Sequence, residues 1–121
     1  MNIRNAYAAD LPAIVDCFNA AFGASRTLER AAWKLNRYDD GRPLGVLAQD
    51  TDGTVKGFYG AMPWSLVYNG HPVDVIQPCD VGIVPSHRGT GLYQELYDFY
   101  AKQQPLFQTL AFGFPNAQAA R

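Results

Sequence analysis

The stretch Cys79–Gln94, CDVGIVPSHRGTGLYQ, decides how the rest of the chain is organised. Its apolar segment Asp80–Val84 predicts a buried strand, and Pro85 ends that strand because proline cannot donate to a sheet ladder. The residues Ser86–Gly91 predict a turn, and a helix is expected over about Gly91–Gln103. The stretch therefore predicts a strand, a tight turn and a helix in direct succession.

The junction of this turn and helix has the residues of an anion-binding site. Gly89 and Gly91 let the backbone approach a bulky anion closely. The first amides of a helix have no partner within it and point outward with the positive end of the dipole. Arg88 adds a fixed positive charge. We expect a phosphate-binding loop; the alternative is that the two glycines only shape a tight turn.

Two common phosphate-binding motifs do not fit the spacing of this loop. A P-loop needs Lys and then Ser or Thr after its second glycine, whereas Leu92 and Tyr93 follow Gly91. A dinucleotide-binding fingerprint needs three glycines and an acidic residue about 20 positions later, and neither is present. Both motifs are therefore excluded.

Composition and charge indicate a single domain, 1–121, that is 48% hydrophobic with a net charge of −1. The absence of a basic patch argues against a nucleic-acid partner. No signal peptide opens the chain and no apolar run could span a bilayer, so we expect a cytoplasmic protein without membrane contact. Cys17 and Cys79 lie far apart in apolar strings and are expected to be buried thiols, not a disulfide or a metal site.

The N-terminal third predicts one strand and two helices. Asn2–Ala6 is a short strand, and Asp10 is expected to cap the helix that follows. A second helix is expected through about Arg37, with Thr27 as its cap. Trp33, in this second helix, is expected to belong to the core.

The middle of the chain predicts an antiparallel meander, followed by a crossover. The strands Gly45–Gln49 and Val55–Tyr68 are separated by the hairpin signal Asp52-Gly53, and Asn69-Gly70 is a second such signal before the central strand. The final strand, Leu106–Phe112, should run parallel to the central strand because a helix joins the two.

Taken together, these motifs resemble the GNAT family of N-acetyltransferases. Arg88 and Gly91 match the first two fixed positions of its acyl-CoA loop, Gln/Arg-x-x-Gly-x-Gly/Ala, while Tyr93 replaces the last small residue. Two further motifs resemble a branch whose members often belong to polysaccharide-modifying pathways. They are the helix containing Trp33-Lys34-Leu35, ahead of a Gly/Pro loop, and a strand ending in Phe112-Gly-Phe-Pro-Asn116.

The resemblance implies an α/β (α+β) fold with a mixed, mostly antiparallel sheet and helices on both faces. A full GNAT domain continues after Asn116 with a helix and two strands, which often supply a Tyr general acid and cover part of the acceptor site. Residues Ala117–Arg121 could form only about one helical turn. The domain is thus expected to lack its C-terminal third. The open apolar strand Leu106–Phe112 then predicts a homodimer or higher oligomer.

The resemblance also implies a donor site for acetyl-CoA. The pantetheine arm would lie where the strands Asp80–Val84 and Leu106–Phe112 splay apart, and Ile83 and Val84 would offer backbone groups to it. Asn116 would contact the CoA arm, or would instead be a turn or helix cap. The pyrophosphate would be held by Arg88, Gly89, Thr90, Gly91, Leu92 and Tyr93.

The implied reaction is acetyl transfer from acetyl-CoA to a small-molecule primary amine, such as an amino sugar. The amine must be neutral to attack, so a base or a water chain is needed. Asp80 is the candidate general base, because an acid within an apolar strand is costly unless it is hydrogen-bonded or functional. It could equally bond a neighbouring loop. His71 lies in an exposed turn, and His87 is expected to touch the anion or solvent.

Two other functions remain open at this point. Loss of the C-terminal elements would suit a module that binds CoA or acyl-CoA without turning it over. Tyr93, in place of a small residue, would suit an inactive remnant whose loop is only structural. Binding without acetylation of any amine would select the module, and no CoA binding at all would select the remnant.

Overall fold

The computed structural model describes residues 1–103 and 110–113. Its helices, apart from two short 3-10 turns at Ala8–Asp10 and Pro85–His87, are α1 (Leu11–Phe22), α2 (Leu28–Leu35) and α3 (Leu92–Lys102). Its strands are β1 (Asn2–Ala6), β2 (Gly45–Gln49), β3 (Val55–Tyr68), β4 (His71–Ile83) and β5 (Leu110–Ala111).

The strands form one mixed sheet in the order of the chain, β1-β2-β3-β4-β5. The first four are antiparallel to their neighbours, and β5 is parallel to β4. Val75 pairs with Leu110 and Ile76 with Ala111, after the crossover through α3. The mixed, mostly antiparallel sheet is thereby confirmed. Of the final strand expected from the sequence, residues 106–109 lie outside the described part of the chain.

Helices pack on both faces of the sheet, as expected. Along β2, Leu47 enters the core under α1 and α2, whereas Val46 and Ala48 enter the core under α3. On β3, Phe58 and Tyr59 divide in the same way between the two cores. This period-two alternation is what a sheet buried on both faces requires. Among residues 1–103 and 110–113, no helix is long and apolar enough to cross a membrane.

The two N-terminal helices begin differently from each other. Thr27 caps α2 as expected, since its hydroxyl accepts a hydrogen bond from the Arg30 amide at 3.2 Å. The expectation that Asp10 caps α1 is wrong. Its carboxylate instead binds the Arg4 guanidinium at 2.8 and 3.0 Å and the Tyr7 amide at 2.9 Å. A bidentate pair with arginine outweighs a cap bond, because both partners are charged.

A β-bulge interrupts β4 at Asp80. Cys79 pairs with Gly60 and Gly82 pairs with Phe58, so Asp80 and the residue after it oppose a single residue of β3. Asp80 adopts a positive φ of 55°. Because the extra residue shifts the alternation of side chains, Cys79 and Asp80 both face the side of α1 and α2.

Candidate active site

The expected phosphate loop is an open cradle at the start of α3. Gly89 and Gly91 have φ values of 74° and 84°, in the left-handed region that favours glycine. No atom lies within 4 Å of the position that a Cβ would take at either residue. The Thr90 hydroxyl turns inward and donates to the His87 carbonyl at 2.7 Å. Gly91 precedes α3 and has no side chain to occupy the first-turn amides, so these remain free for an anion.

The Arg88 side chain connects this loop to β4 and α1 by hydrogen bonds. Its Nε donates to the Ile83 carbonyl at 3.1 Å, and its Nη2 donates to the Ala21 carbonyl near the end of α1. The last carbonyls of a helix favour a cation, so this contact is well placed. One edge of the guanidinium therefore shapes the loop, and Nη1 is the nitrogen for which no bond is seen among the described residues.

The last two loop residues face in different directions. The Leu92 side chain is buried in the core under α3, so only its backbone amide belongs to the loop. The Tyr93 side chain is half exposed, and its ring centroid lies 6.3 Å from that of Tyr59. The side chain that departs from the family pattern thus lies beside an aromatic cluster formed with α3.

Ile83 and Val84 differ in what their backbones can offer. The Val84 amide donates to the Lys56 carbonyl at 2.9 Å, and its carbonyl accepts from the His87 amide at 3.0 Å. Ile83 pairs with Gly57, and the Val84–Lys56 bond makes this a non-hydrogen-bonded pair. The Ile83 amide therefore points away from β3, toward the edge of β4 on which β5 pairs.

Asp80 lies between two cations. Its side chain is 7% exposed, and its two carboxylate oxygens accept hydrogen bonds from Arg26 Nη1 at 2.6 Å and Lys34 Nζ at 2.8 Å. The carboxylate therefore ties the bulge of β4 to α2 and to the segment before it. This is the neighbouring-loop contact that the sequence left open beside the role of general base.

The two thiols are held in their neutral form. Burial raises the pKa of Cys17 to about 11. Burial also raises the pKa of Cys79 to about 11, with a further contribution from the negative charge of Asp80. A thiolate is the nucleophilic form, so neither cysteine is poised for covalent catalysis at neutral pH.

A cleft of about 300 Å³ opens beside α2 on the same face of the sheet as Asp80. We call it the cationic cleft; its lining residues are Arg26, Arg30, Trp33, Lys34, Arg37, Met62 and Trp64. The expectation that Trp33 belongs to the core is wrong, since its side chain is 70% exposed. The Arg37 guanidinium lies 5.1 Å from the ring centroids of both Trp33 and Trp64.

Net charge does not reveal this cleft, because it carries no information on where the charged residues lie. The expectation that the chain has no basic patch is wrong here, because four cations line this cleft. A signal was present, since Arg30 and Lys34 are four residues apart in the expected second helix, and such spacing puts two side chains on one face of a helix. Arg26 and Arg37 lie just outside the two ends of α2 and add their charges to that face.

The remaining expected site residues contribute little that the structure describes. His71 is exposed at the start of β4. His87 lies 2.9 Å from the Ser86 hydroxyl and 4.0 Å from Asp50. Asn116 lies outside the described residues. Within residues 1–103 and 110–113, no three His, Cys, Asp or Glu side chains gather as metal ligands.

The geometry agrees with comparisons to known proteins. The chain matches the family model of the acetyltransferase (GNAT) domain over residues 2–119. A comparison with curated protein sequences finds no match. The fold is similar to glucosamine-6-phosphate N-acetyltransferase from Arabidopsis thaliana, with a TM-score of 0.67 and 12% identity over 97% of this chain and 83% of that one.

Two other solved structures show the same fold. An aminoglycoside antibiotic 6′-N-acetyltransferase from Acinetobacter haemolyticus has a TM-score of 0.65 and 19% identity, over 99% of this chain and 83% of that one. A putative acetyltransferase from Agrobacterium tumefaciens has a TM-score of 0.67 and 11% identity, over 97% and 83%. With a family match across nearly its whole length, the chain belongs to the GNAT acetyltransferase family.

Proposed function

We propose that the protein transfers an acetyl group from acetyl-CoA to the primary amine of a small molecule. GNAT domains use acetyl-CoA as acyl donor, which supports acetyl-CoA as the donor for this protein. The observation that carries the proposal is the open glycine cradle at the start of α3, next to the edge of β4. The cradle is positioned to receive a pyrophosphate on backbone amides.

The proposed donor site extends from the loop to the sheet edge. The amides near Gly89 and Gly91 bind the pyrophosphate. Arg88 keeps the loop in shape, and Nη1 is the nitrogen that remains available to the anion. Ile83 binds the pantetheine arm through its amide. Val84 contributes by holding the end of the strand in place, since its backbone groups are already bonded and its side chain is buried in the core under α1 and α2. Asn116 remains a proposed contact to the CoA arm.

The chemical step is a direct transfer. The amine nitrogen attacks the thioester carbonyl carbon, and a C–N bond forms as the C–S bond breaks. Sulfur leaves with the bonding pair as a thiolate and takes up a proton, while the amine loses one. A backbone amide of β4 stabilises the negative charge that develops on the carbonyl oxygen.

Asp80 has two possible roles in this step, and an experiment separates them. As general base it would accept the proton of the amine; as an anchor it would hold Arg26 and Lys34 in the cleft. In the first case, Asp80→Asn slows acetylation of amines that are protonated at the assay pH far more than of amines already neutral. In the second case, the variant slows both classes alike and raises KM.

An amino sugar is the proposed acceptor. Two proteins with this fold carry amino-sugar substrates in their names, glucosamine 6-phosphate and an aminoglycoside. The cationic cleft supports a ring-shaped acceptor, because Trp33 and Trp64 present flat faces to it. Its volume suits a ligand of small-molecule size.

We further propose a homodimer in the cytoplasm, with the region of β5 at the interface. Edge strands of sheets are usually covered, and the sequence around β5 is apolar. Light scattering at micromolar concentration tests this proposal. A dimer mass supports it, and a monomer mass contradicts it.

A non-catalytic acyl-CoA-binding module is the second candidate function. The observation in its favour is that both oxygens of Asp80 already accept bonds from cations. Release of free CoA, followed with a thiol reagent and a panel of amines, separates the candidates. Amine-dependent release supports the transferase, and acetyl-CoA binding without release supports the module. If the protein binds no acetyl-CoA, it is neither a transferase nor an acyl-CoA-binding module.

A further inference from the structure

We infer that the acceptor carries an anionic group, a phosphate or a carboxylate, which binds in the cationic cleft. The inference rests on the proposed acetyl transfer and adds the chemical class of its acceptor. It is carried by the convergence of four cations and two tryptophans in one cleft on the face of Asp80.

The cleft has an excess of positive charge. Arg26 and Lys34 share the single carboxylate of Asp80. Among the described residues, neither Arg30 nor Arg37 forms an ion pair, although Glu29 lines an adjoining hollow with Arg30. Of the carboxylates in the part of the chain that the structure describes, only Asp80 forms ion pairs with these four cations. A concave surface of one sign focuses its field and attracts a ligand of the opposite sign.

Arg37 is held in place for an anion. Its guanidinium lies 5.1 Å from each tryptophan ring centroid, and its Nη2 lies 4.0 Å from Met62 Sδ. Contacts with two rings hold the planar group in a fixed orientation without neutralising its charge. A guanidinium in a fixed orientation binds an oxyanion through two parallel hydrogen bonds.

The cleft lies next to the proposed reaction centre. Two of its cations bond Asp80 in the bulge of β4, three residues before Ile83. The Trp64 ring centroid lies 6.3 Å from that of Phe112, which follows β5. An acceptor anchored by its anionic group would therefore present its amine beside the gap where the acyl donor is proposed to lie. The phosphate loop at Gly89 and Gly91 is a separate site, so CoA does not compete.

Binding in this cleft can be followed by the protein's own tryptophan fluorescence. Its two tryptophans, Trp33 and Trp64, both line the cleft. Intrinsic fluorescence therefore measures binding there without a label. Titration with glucose 6-phosphate, and with glucose as the uncharged control, isolates the role of the phosphate because neither sugar has an amine.

Arg30→Gln is the test variant, because Arg30 is exposed and only its backbone amide takes part in the cap of α2, so we expect the variant to fold. Lys102→Gln, exposed on α3, is the matched control for charge. We expect saturable quenching by glucose 6-phosphate that weakens at least about tenfold in Arg30→Gln, as for the loss of one charged hydrogen bond. The control variant should bind like the wild type, and added salt should weaken binding. Equal binding of both sugars, or no effect of Arg30→Gln, overturns the inference.

Steady-state kinetics test whether binding in the cleft contributes to acetyl transfer. The value of kcat/KM for glucosamine 6-phosphate should exceed that for glucosamine at least about tenfold, and Arg30→Gln should remove most of the difference. Calorimetry with acetyl-CoA on the same sample tests the donor site independently. If acetyl-CoA binds and amines release CoA from it, but neither sugar phosphate is preferred, the inference fails and the proposed function stands. If glucose 6-phosphate quenches but acetyl-CoA does not bind, the anion cleft is supported and the proposed function fails.

Discussion

Replacing Asp80 with Asn should destabilise the protein measurably, because it removes the charge that two cations share. The asparagine keeps the shape of the side chain, and it tolerates the left-handed φ of 55° at this position. The perturbation is therefore electrostatic and leaves the backbone of the bulge in place.

The burial of the three partners sets the size of the effect. Removing one partner of a fully buried ion pair costs about 3–5 kcal/mol, and an exposed pair contributes about 0–1 kcal/mol. The Asp80 side chain is 7% exposed, whereas the side chains of Arg26 and Lys34 are 21% and 25% exposed. The two cations can therefore regain part of their hydration. We expect a loss of about 2 kcal/mol, between these limits.

Urea unfolding followed by far-UV circular dichroism measures this loss. The matched control is Asp40→Asn, whose carboxylate is 41% exposed and pairs with Arg42 at 2.7 Å. That variant should lose less than about 1 kcal/mol. An Asp80→Asn protein no less stable than the Asp40→Asn control would refute the reasoning. It would mean that the bulge is held by packing alone.

Three further predictions concern stability and reactivity. The Arg4 guanidinium lowers the pKa of Asp10. This pair therefore stabilises the protein fully at pH values above the ordinary pKa of an aspartate, and the stabilisation is lost as the pH falls through the lowered pKa. The urea midpoint of the wild type should decrease below about pH 4, and the midpoint of Asp10→Asn should decrease less. Gly60→Ala would place a Cβ 2.4 Å from the Cys79 carbonyl and should lower Tm by several degrees, whereas an unchanged Tm would contradict the packing. With pKa values of about 11, Cys17 and Cys79 should react with a thiol reagent at pH 8 only slowly until urea is added.

Local sequence signals were sufficient for most of the fold. The bounds of β1, β2 and β3 agree with the expected strands, because the hairpin residues Asp52-Gly53 and Asn69-Gly70 delimit the meander on their own. The parallel pairing of β5 with β4 followed from the crossover helix between them. The hairpins depend on residues that are close together in the sequence, and the parallel pairing depends only on there being a helix between the two strands.

The errors arose where distant residues compete for one group. The partner of Asp10 lies on β1, and helix-start patterns do not take such a residue into account. The choice between two roles for Asp80 stayed open for the same reason, because its partners lie 54 and 46 residues away and no local motif predicts the bulge that turns its side chain toward them. Trp33 is exposed because Arg37 and Trp64 form a cleft with it, and that cleft exists only after β3 and α2 have packed together.

The central claim is that the loop at Gly89 binds acetyl-CoA, and calorimetric titration tests it most directly. Asp and Asn both tolerate the φ of 74° at Gly89, where a side chain would meet no atom within 4 Å. Gly89→Asp should weaken acetyl-CoA binding at least about tenfold more than Gly89→Asn does, because only the former opposes the pyrophosphate charge. Gly70→Asp, in the β3–β4 turn, should bind as the wild type does. No binding by the wild type, or equal binding by all three variants, would contradict the account.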